Sequence, residues 1–277
     1  MINGKEESKT VYHYCSLEAL TSIFKTGRLW LSDLEESNDP TERKVFCTLY
    51  FEWLRQNHGS LSSDLVMKEY EKDIRRKRFY GACFTYNEDT LLNWFGYARE
   101  GVSIGFDQEK LKGWANRITL LQNQAKRGDV RYPKGRVELF DLFEEIFKSA
   151  ECAFNSLDSV EEMSLFTKSY LWKEEKEFRI CVNNFVDSDD YGNSLPIVFF
   201  DGAPCKLACK KAHYEVPGIL DCIKSITIGY SCKIEPRALE AKLRGIQPDF
   251  DFGQLDIRRS RFGKRIDELY SSPSLKK

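Results

Sequence analysis

The sequence has no apolar run approaching the roughly eighteen residues that a membrane-crossing helix needs. Its opening MINGKEESKT is polar and lacks the apolar core of a secretion signal. The expectation is a soluble, cytoplasmic protein with no membrane partner. An excess of one charge sign is also missing, since 42 Lys and Arg stand against 43 Asp and Glu for a formal charge of −1. That balance gives no global attraction for nucleic acid or lipid headgroups. Two local basic clusters, KDIRRKR (72–78) and RRSRFGKR (258–265), read as solvated faces and leave a nucleic-acid-binding edge open. GxGxxG, P-loop, HExxH and GxSxG patterns are absent, as is any repeat or Pro/Gly/Ser-rich linker.

Cysteine is present without a framework. The nine cysteines are odd in number and scattered through apolar segments, and no CxxC knuckle occurs. Reduced buried thiols fit this better than disulfides. Cys205, Cys209 and His213, with Cys222 further on, have a spacing that would suit zinc, but KLACKKAH reads equally as an amphipathic turn. The expectation is a metal-free protein.

What is present is core material. Hydrophobic residues make up 42% of the 277 and aromatics 13%, which supports a sizeable core and excludes a disordered chain. TVYHYCS reads as a strand. Ser16 then caps a helix with the stripe Leu17, Leu20, Ile23 and Phe24, stopped by Gly27, and RLWLS forms a second strand. In ESNDPTER, Asp39, Pro40 and Glu42 form a helix-start signature for a helix running through VFCTLYFEWL. A charged helix is expected over 65–78, a strand at FYGACFT, a helix at TLLNWFGYARE stopped by Gly101, and a strand at VSIGF. The longest helix is expected at RVELFDLFEEIFKSAECAF. Later strands are EFRICVNNF, LPIVFF, IKSITIG and QLDIRRSRF, with a short helix at RALEAKLRG. Strands and helices are interspersed without strict alternation, so the expected fold class is α+β rather than a doubly wound sheet. One domain over 11–265 is expected, with flexible tails at 1–10 and 266–277.

Four segments in order, YHYCSLEALTSIFKTGRLWLSDLEESNDPTE, CFTYNEDTLLNWFGYAREGVSIGFD, WKEEKEFRI and IKSITIG, resemble an uncharacterised bacterial family, domain of unknown function 2971, from Tyr12 to about Gly229. A strand histidine, a helix ending in Gly, a second strand and a late Glu-x-Glu also resemble the NAD-binding core of ADP-ribosyltransferases, most of all the branch that modifies DNA. That resemblance implies a mixed, largely antiparallel, split sheet flanked by helices, with NAD as substrate. It places Glu177 as the catalytic carboxylate and Glu175 at the acceptor. It places His13 and Tyr14 on the first strand, with His13 at the nicotinamide-side ribose. Trp30 and Ser32 fall on the second strand near nicotinamide, and Asn38 and Arg179 are further cofactor-binding positions. The second strand has no tyrosine, and the Ser-Thr-Ser triplet of the arginine-modifying branch is missing.

The chemistry these residue types would serve is cleavage of the nicotinamide–ribose bond. It passes through an oxocarbenium-like state that a carboxylate stabilises, while a second carboxylate on the same strand face deprotonates an acceptor. The expected function is an NAD-dependent ADP-ribosyltransferase or NAD glycohydrolase, with protein, nucleic acid or water as acceptor and a toxin or phage-defence setting. A non-catalytic interaction module is the alternative. A metal-dependent nuclease using Asp39, Glu42, Glu175 and Glu177 is a further one. The plainest reading of Glu175 and Glu177 is a solvated strand entrance paired with Lys173, Lys176 or Arg179.

Overall fold

The computed structural model describes residues 9–34, 42–59, 64–68, 70, 77–98, 100–120, 125–150, 157–185, 197–199 and 212–263. The chain divides into two compact units, interleaved in sequence. Met1–Leu29, Cys83–Arg117 and Val216–Lys277 form the first, and Trp30–Ala82 and Ile118–Glu215 the second.

In the first unit, β1 (Thr10–Cys15) runs antiparallel to β4 (Val102–Asp107) along its whole length, from Thr10↔Asp107 to Cys15↔Val102. β4 is antiparallel to β9 (Ile223–Ile228), with a register shift between Gly105 and Phe106. β10 (Asp256–Arg259) lies parallel to β9, and β1 also meets the end of β3 (Lys77–Thr85) at Tyr12↔Thr85. Helix α1 (Leu17–Thr26) has the ends its sequence dictates. The Ser16 side chain accepts from Ala19 N–H at 3.1 Å, and Gly27, at φ 63°, donates its N–H to Ile23 O at 2.8 Å. Its apolar stripe buries Leu20, Ile23 and Phe24, and Phe24 meets the rings of Phe250 and Phe252 at 5.2 and 6.1 Å. A separate cluster forms where α3 (Leu91–Tyr97) packs on β1, joining Tyr14, Trp94 and Ala98. Asp89 ties this corner to the residues after β10, accepting from Trp94 Nε1 at 2.6 Å, Ser260 Oγ at 2.9 Å and Arg261 N–H at 2.9 Å.

The second unit holds a helix-on-helix core. α2 (Glu42–His58), α5 (Arg136–Ala150) and α6 (Leu157–Leu165) bring together Phe46, Tyr50, Trp53, Leu54, Phe143, Ile146 and Val160. Among its strand pairs, β2 (Arg28–Asp33) with β3, β5 (Lys126–Asp129) with β6 (Glu177–Phe185), and β7 (Ile197–Phe199) with β8 (Ala212–Pro217) are antiparallel. A second apolar cluster gathers Leu34, Phe79, Leu165, Phe166 and Cys181.

The fold is therefore α+β, with a mixed, largely antiparallel sheet flanked by helices. The expected charged helix over 65–78 is shorter at its C-terminal side, because Lys77 and Arg78 begin β3. The long helix expected from Arg136 is α5, assigned as far as Ala150, and a separate α6 starts at Leu157. Helix α4 (Gln108–Leu120), helix α6 and strands β5 and β8 are absent from the sequence reading. Among the described residues no helix is long and apolar enough to cross a membrane, and no group of three or more His, Cys, Asp or Glu is placed to hold a metal ion. Cys205 and Cys209 lie outside the described residues, His213 falls within β8, and Cys222 is buried.

Candidate functional site: a buried ion tetrad and a strand histidine

The stretch LWKEEKEFRI folds as two pieces with a reversal between them. Tyr170–Glu175 is a 3₁₀ turn, and its first free amide, Leu171 N–H, is met by Ser169 Oγ at 3.4 Å. Lys176 has φ 45°, a left-handed backbone conformation uncommon outside glycine, and β6 begins at the next residue. Within β6 the two-residue period sends Phe178, Ile180 and Val182 to one face and Glu177, Arg179 and Cys181 to the other. All six are buried.

Glu175 is therefore not on the Glu177 face of one strand, as the resemblance implies; the left-handed turn at Lys176 brings it in from the 3₁₀ segment. Both carboxylates meet the same ammonium. Lys168 Nζ lies 2.7 Å from Glu175 Oε2 and 3.1 Å from Glu177 Oε2. Arg179 grips Glu177 with two nitrogens, Nε to Oε1 at 2.5 Å and Nη2 to Oε2 at 3.1 Å. Its Nη1 donates to Leu165 O at 2.7 Å. The Trp172 ring centroid is 5.3 Å from Lys168 Nζ. Tyr132 Oη accepts the Glu177 backbone N–H at 3.0 Å, and burial, reinforced by the two nearby carboxylates, pushes its phenol above the usual range.

These are not residues of a solvated entrance, since Glu175 and Glu177 are each 5% exposed, Arg179 3% and Lys168 8%. Two negative and two positive side chains leave the tetrad neutral. A carboxylate held by an ammonium and a guanidinium projects little field beyond its own partners. Lys173, expected as a partner of these glutamates, instead reaches Tyr170 Oη at 2.9 Å and Glu174 at 4.0 Å. Lys168, which the sequence reading leaves out, is the cation that joins the two glutamates.

The remaining candidates do not form one described site. His13 and Tyr14 belong to the first unit, and Trp30, Ser32 and the tetrad to the second. His13 is half-buried on β1 and donates Nδ1–H to Cys83 O at 2.9 Å, a bond that requires the proton on Nδ1 and makes Nε2 the acceptor of the neutral ring. Tyr14 faces the other way and is committed to structure. Its hydroxyl donates to Glu88 O at 2.8 Å and accepts from Thr90 N–H at 3.4 Å, and its ring meets Trp94 edge-on at 4.7 Å. Trp30 is half-buried on β2, and Ser32 is exposed opposite Gly81. Asn38, Asp39 and Pro40 lie outside the described residues, as does the Glu42 side chain, so two of the four carboxylates of the nuclease reading fall there.

Residues 93–180 match the model of a family described as "Protein of unknown function (DUF2971)". The match takes in Lys168, Glu175, Glu177 and Arg179 and leaves His13, Tyr14, Trp30, Ser32 and Asn38 outside. It supports the first resemblance over a shorter span than Tyr12 to Gly229. No curated protein and no solved structure matches the chain, so the comparisons lend no support to the likeness to ADP-ribosyltransferases.

Burial lowers the pKa of His13 below its usual 6.5, against the opposing effect of the Cys83 carbonyl. The folded state thus binds this proton less readily than the unfolded state. Its stabilising contribution is present above the unfolded pKa and is lost as pH falls from about 6.5 toward the lower folded value. Urea unfolding of wild type and His13→Gln across pH 7.5 to about 5 should show a steeper acid-side loss in the wild type. Parallel curves would remove His13 as the cause.

Proposed function

We propose that the chain is a non-catalytic binding module in which Lys168, Glu175, Glu177 and Arg179 hold the second unit together. The observation that carries this reading is the closure of both candidate carboxylates by buried cations. A group that stabilises an oxocarbenium-like state needs charge aimed at the sugar and unspent on other partners, and Glu177 spends both oxygens on Arg179 and Lys168.

A second reading remains an NAD-consuming transferase or glycohydrolase. It is supported by the His13 geometry, in which the Cys83 carbonyl fixes the tautomer and makes Nε2 an acceptor for a ribose hydroxyl. In that reading a diphosphate would have to draw Lys168 or Arg179 away from Glu177 to expose its charge.

Incubating the full chain with nicotinamide-labelled NAD separates the two. The module reading expects no nicotinamide release above buffer, from wild type and from Glu177→Gln alike. Release by the wild type that falls about 10²–10³-fold in Glu177→Gln, the scale of removing one pre-organised electrostatic group, would replace it with the transferase reading.

A further inference from the structure

Arg43, in the first turn of α2, is a buried cation with an unfilled hydrogen-bonding edge. The residue is 7% exposed, and its guanidinium carbon lies 3.9 Å from the centroid of the Phe79 ring, itself 2% exposed. Its Nε and Nη2 are buried and have no hydrogen-bond partner. A guanidinium does not deprotonate in a protein, and a buried charge is strongly unfavourable unless it is paired and hydrogen-bonded.

Nε and Nη2 form one side of the planar fork. The same unit shows what that side does when filled, because Arg179 uses these two nitrogens to hold both oxygens of Glu177. Arg43 presents the identical pair of donors beside Cys47 and Tyr70, whose hydroxyl donates to Cys47 Sγ at 2.7 Å. Burial pushes the Cys47 thiol and the Tyr70 phenol above their usual ranges; the Arg43 charge opposes that rise at both groups, and Glu161 in the same neighbourhood adds to it. Glu161 does not bond the two free nitrogens.

We propose that Arg43 is the anchor of a binding site for a small oxyanion, either a phosphate group or a carboxylate, held bidentately by Nε and Nη2 over the Phe79 ring. Two parallel N–H donors match two oxygens of one anionic centre, which a lysine in the same place would not do. The site stands whichever way Glu177 acts, since it shares no residue with the tetrad.

Calorimetry of the full chain with inorganic phosphate, and separately with acetate, each up to about 10 mM, tests the site and tells the two sources apart. Saturable binding of phosphate alone assigns a phosphoryl-bearing ligand, and of acetate alone a carboxylate; binding of both assigns the shared oxyanion chemistry. Arg43→Gln should weaken binding about 10–100-fold, the range for a lost charge-assisted bond, and Arg43→Lys about tenfold because charge stays while the fork goes. Should Arg43→Gln fail to fold, the lysine variant carries the comparison. No saturable binding of either anion to the wild type, or unchanged binding in the folded variants, overturns the proposal. So does a crystal structure with a carboxylate of the chain itself against Nε and Nη2.

Discussion

Glu177→Gln should destabilise the second unit by about 3–5 kcal/mol, the usual cost of removing one partner from a buried ion pair. Glutamine keeps the volume and one acceptor oxygen. It also turns an N–H₂ group toward a pocket already supplied with donors by Arg179 and Lys168, and leaves Glu175 as the one carboxylate facing two buried cations. A solvated strand entrance would predict about 0–1 kcal/mol instead, so the size of the loss decides between the two pictures. Urea unfolding followed by circular dichroism supplies the measurement, and a loss under about 1 kcal/mol would show that the tetrad is not structural. Lys168→Met should be costly for the same reason. Its combination with Glu175→Gln should recover part of the loss, with a coupling energy of about 0.5–3 kcal/mol, because that double change removes one charge of each sign.

The tetrad marks where legibility in the sequence ends. The strand EFRICVNNF is readable to its last residue because its face alternation and β-branched content are local. The partner of its first residue is not readable. Lys168 stands nine positions earlier in TKSYLWKEEKEF and returns only because a 3₁₀ turn and a left-handed lysine fold the chain back. Glycine at 176 would have advertised such a reversal; lysine hides it. Helix α1 is legible from cap to stop because Ser16 and Gly27 act within one turn of it. Helix α4 carries a comparable signal, since Asp107 accepts from the N–H groups of Glu109 and Lys110 at 3.0 and 3.1 Å, but the same aspartate also ends β4. Arg43 is the plainest case. In PTERKVF it looks like one more solvated helix charge, and only tertiary packing lays it on Phe79.

Gly101→Ala should cost the first unit about 3 kcal/mol, at the upper end for forcing extra volume into a packed place. In the sequence this glycine reads as a helix stop. In the structure α3 ends at Tyr97, and Gly101 does something else. A Cβ added there would stand 2.1 Å from Cys15 O and 3.0 Å from both Cys15 C and Ser16 Cα. Those are backbone atoms and cannot rotate aside. Relief requires moving the end of β1 away from β4 at the Cys15↔Val102 pair, disturbing the Ser16 cap of α1, and lengthening the Gly229 N–H bond to Gly101 O, now 2.9 Å. Gly105→Ala meets Ser225 Oγ at 2.2 Å, a hydroxyl on a rotatable side chain, and should cost about 1 kcal/mol. Gly113→Ala, inside α4 with nothing within 4 Å of the new carbon, should stabilise by up to about 1 kcal/mol through helix propensity. Thermal and urea unfolding of the three variants should rank them in that order, each fold-checked by circular dichroism. Gly101→Ala as stable as Gly113→Ala would mean that β1, the strand that carries His13, does not close onto Gly101 as described.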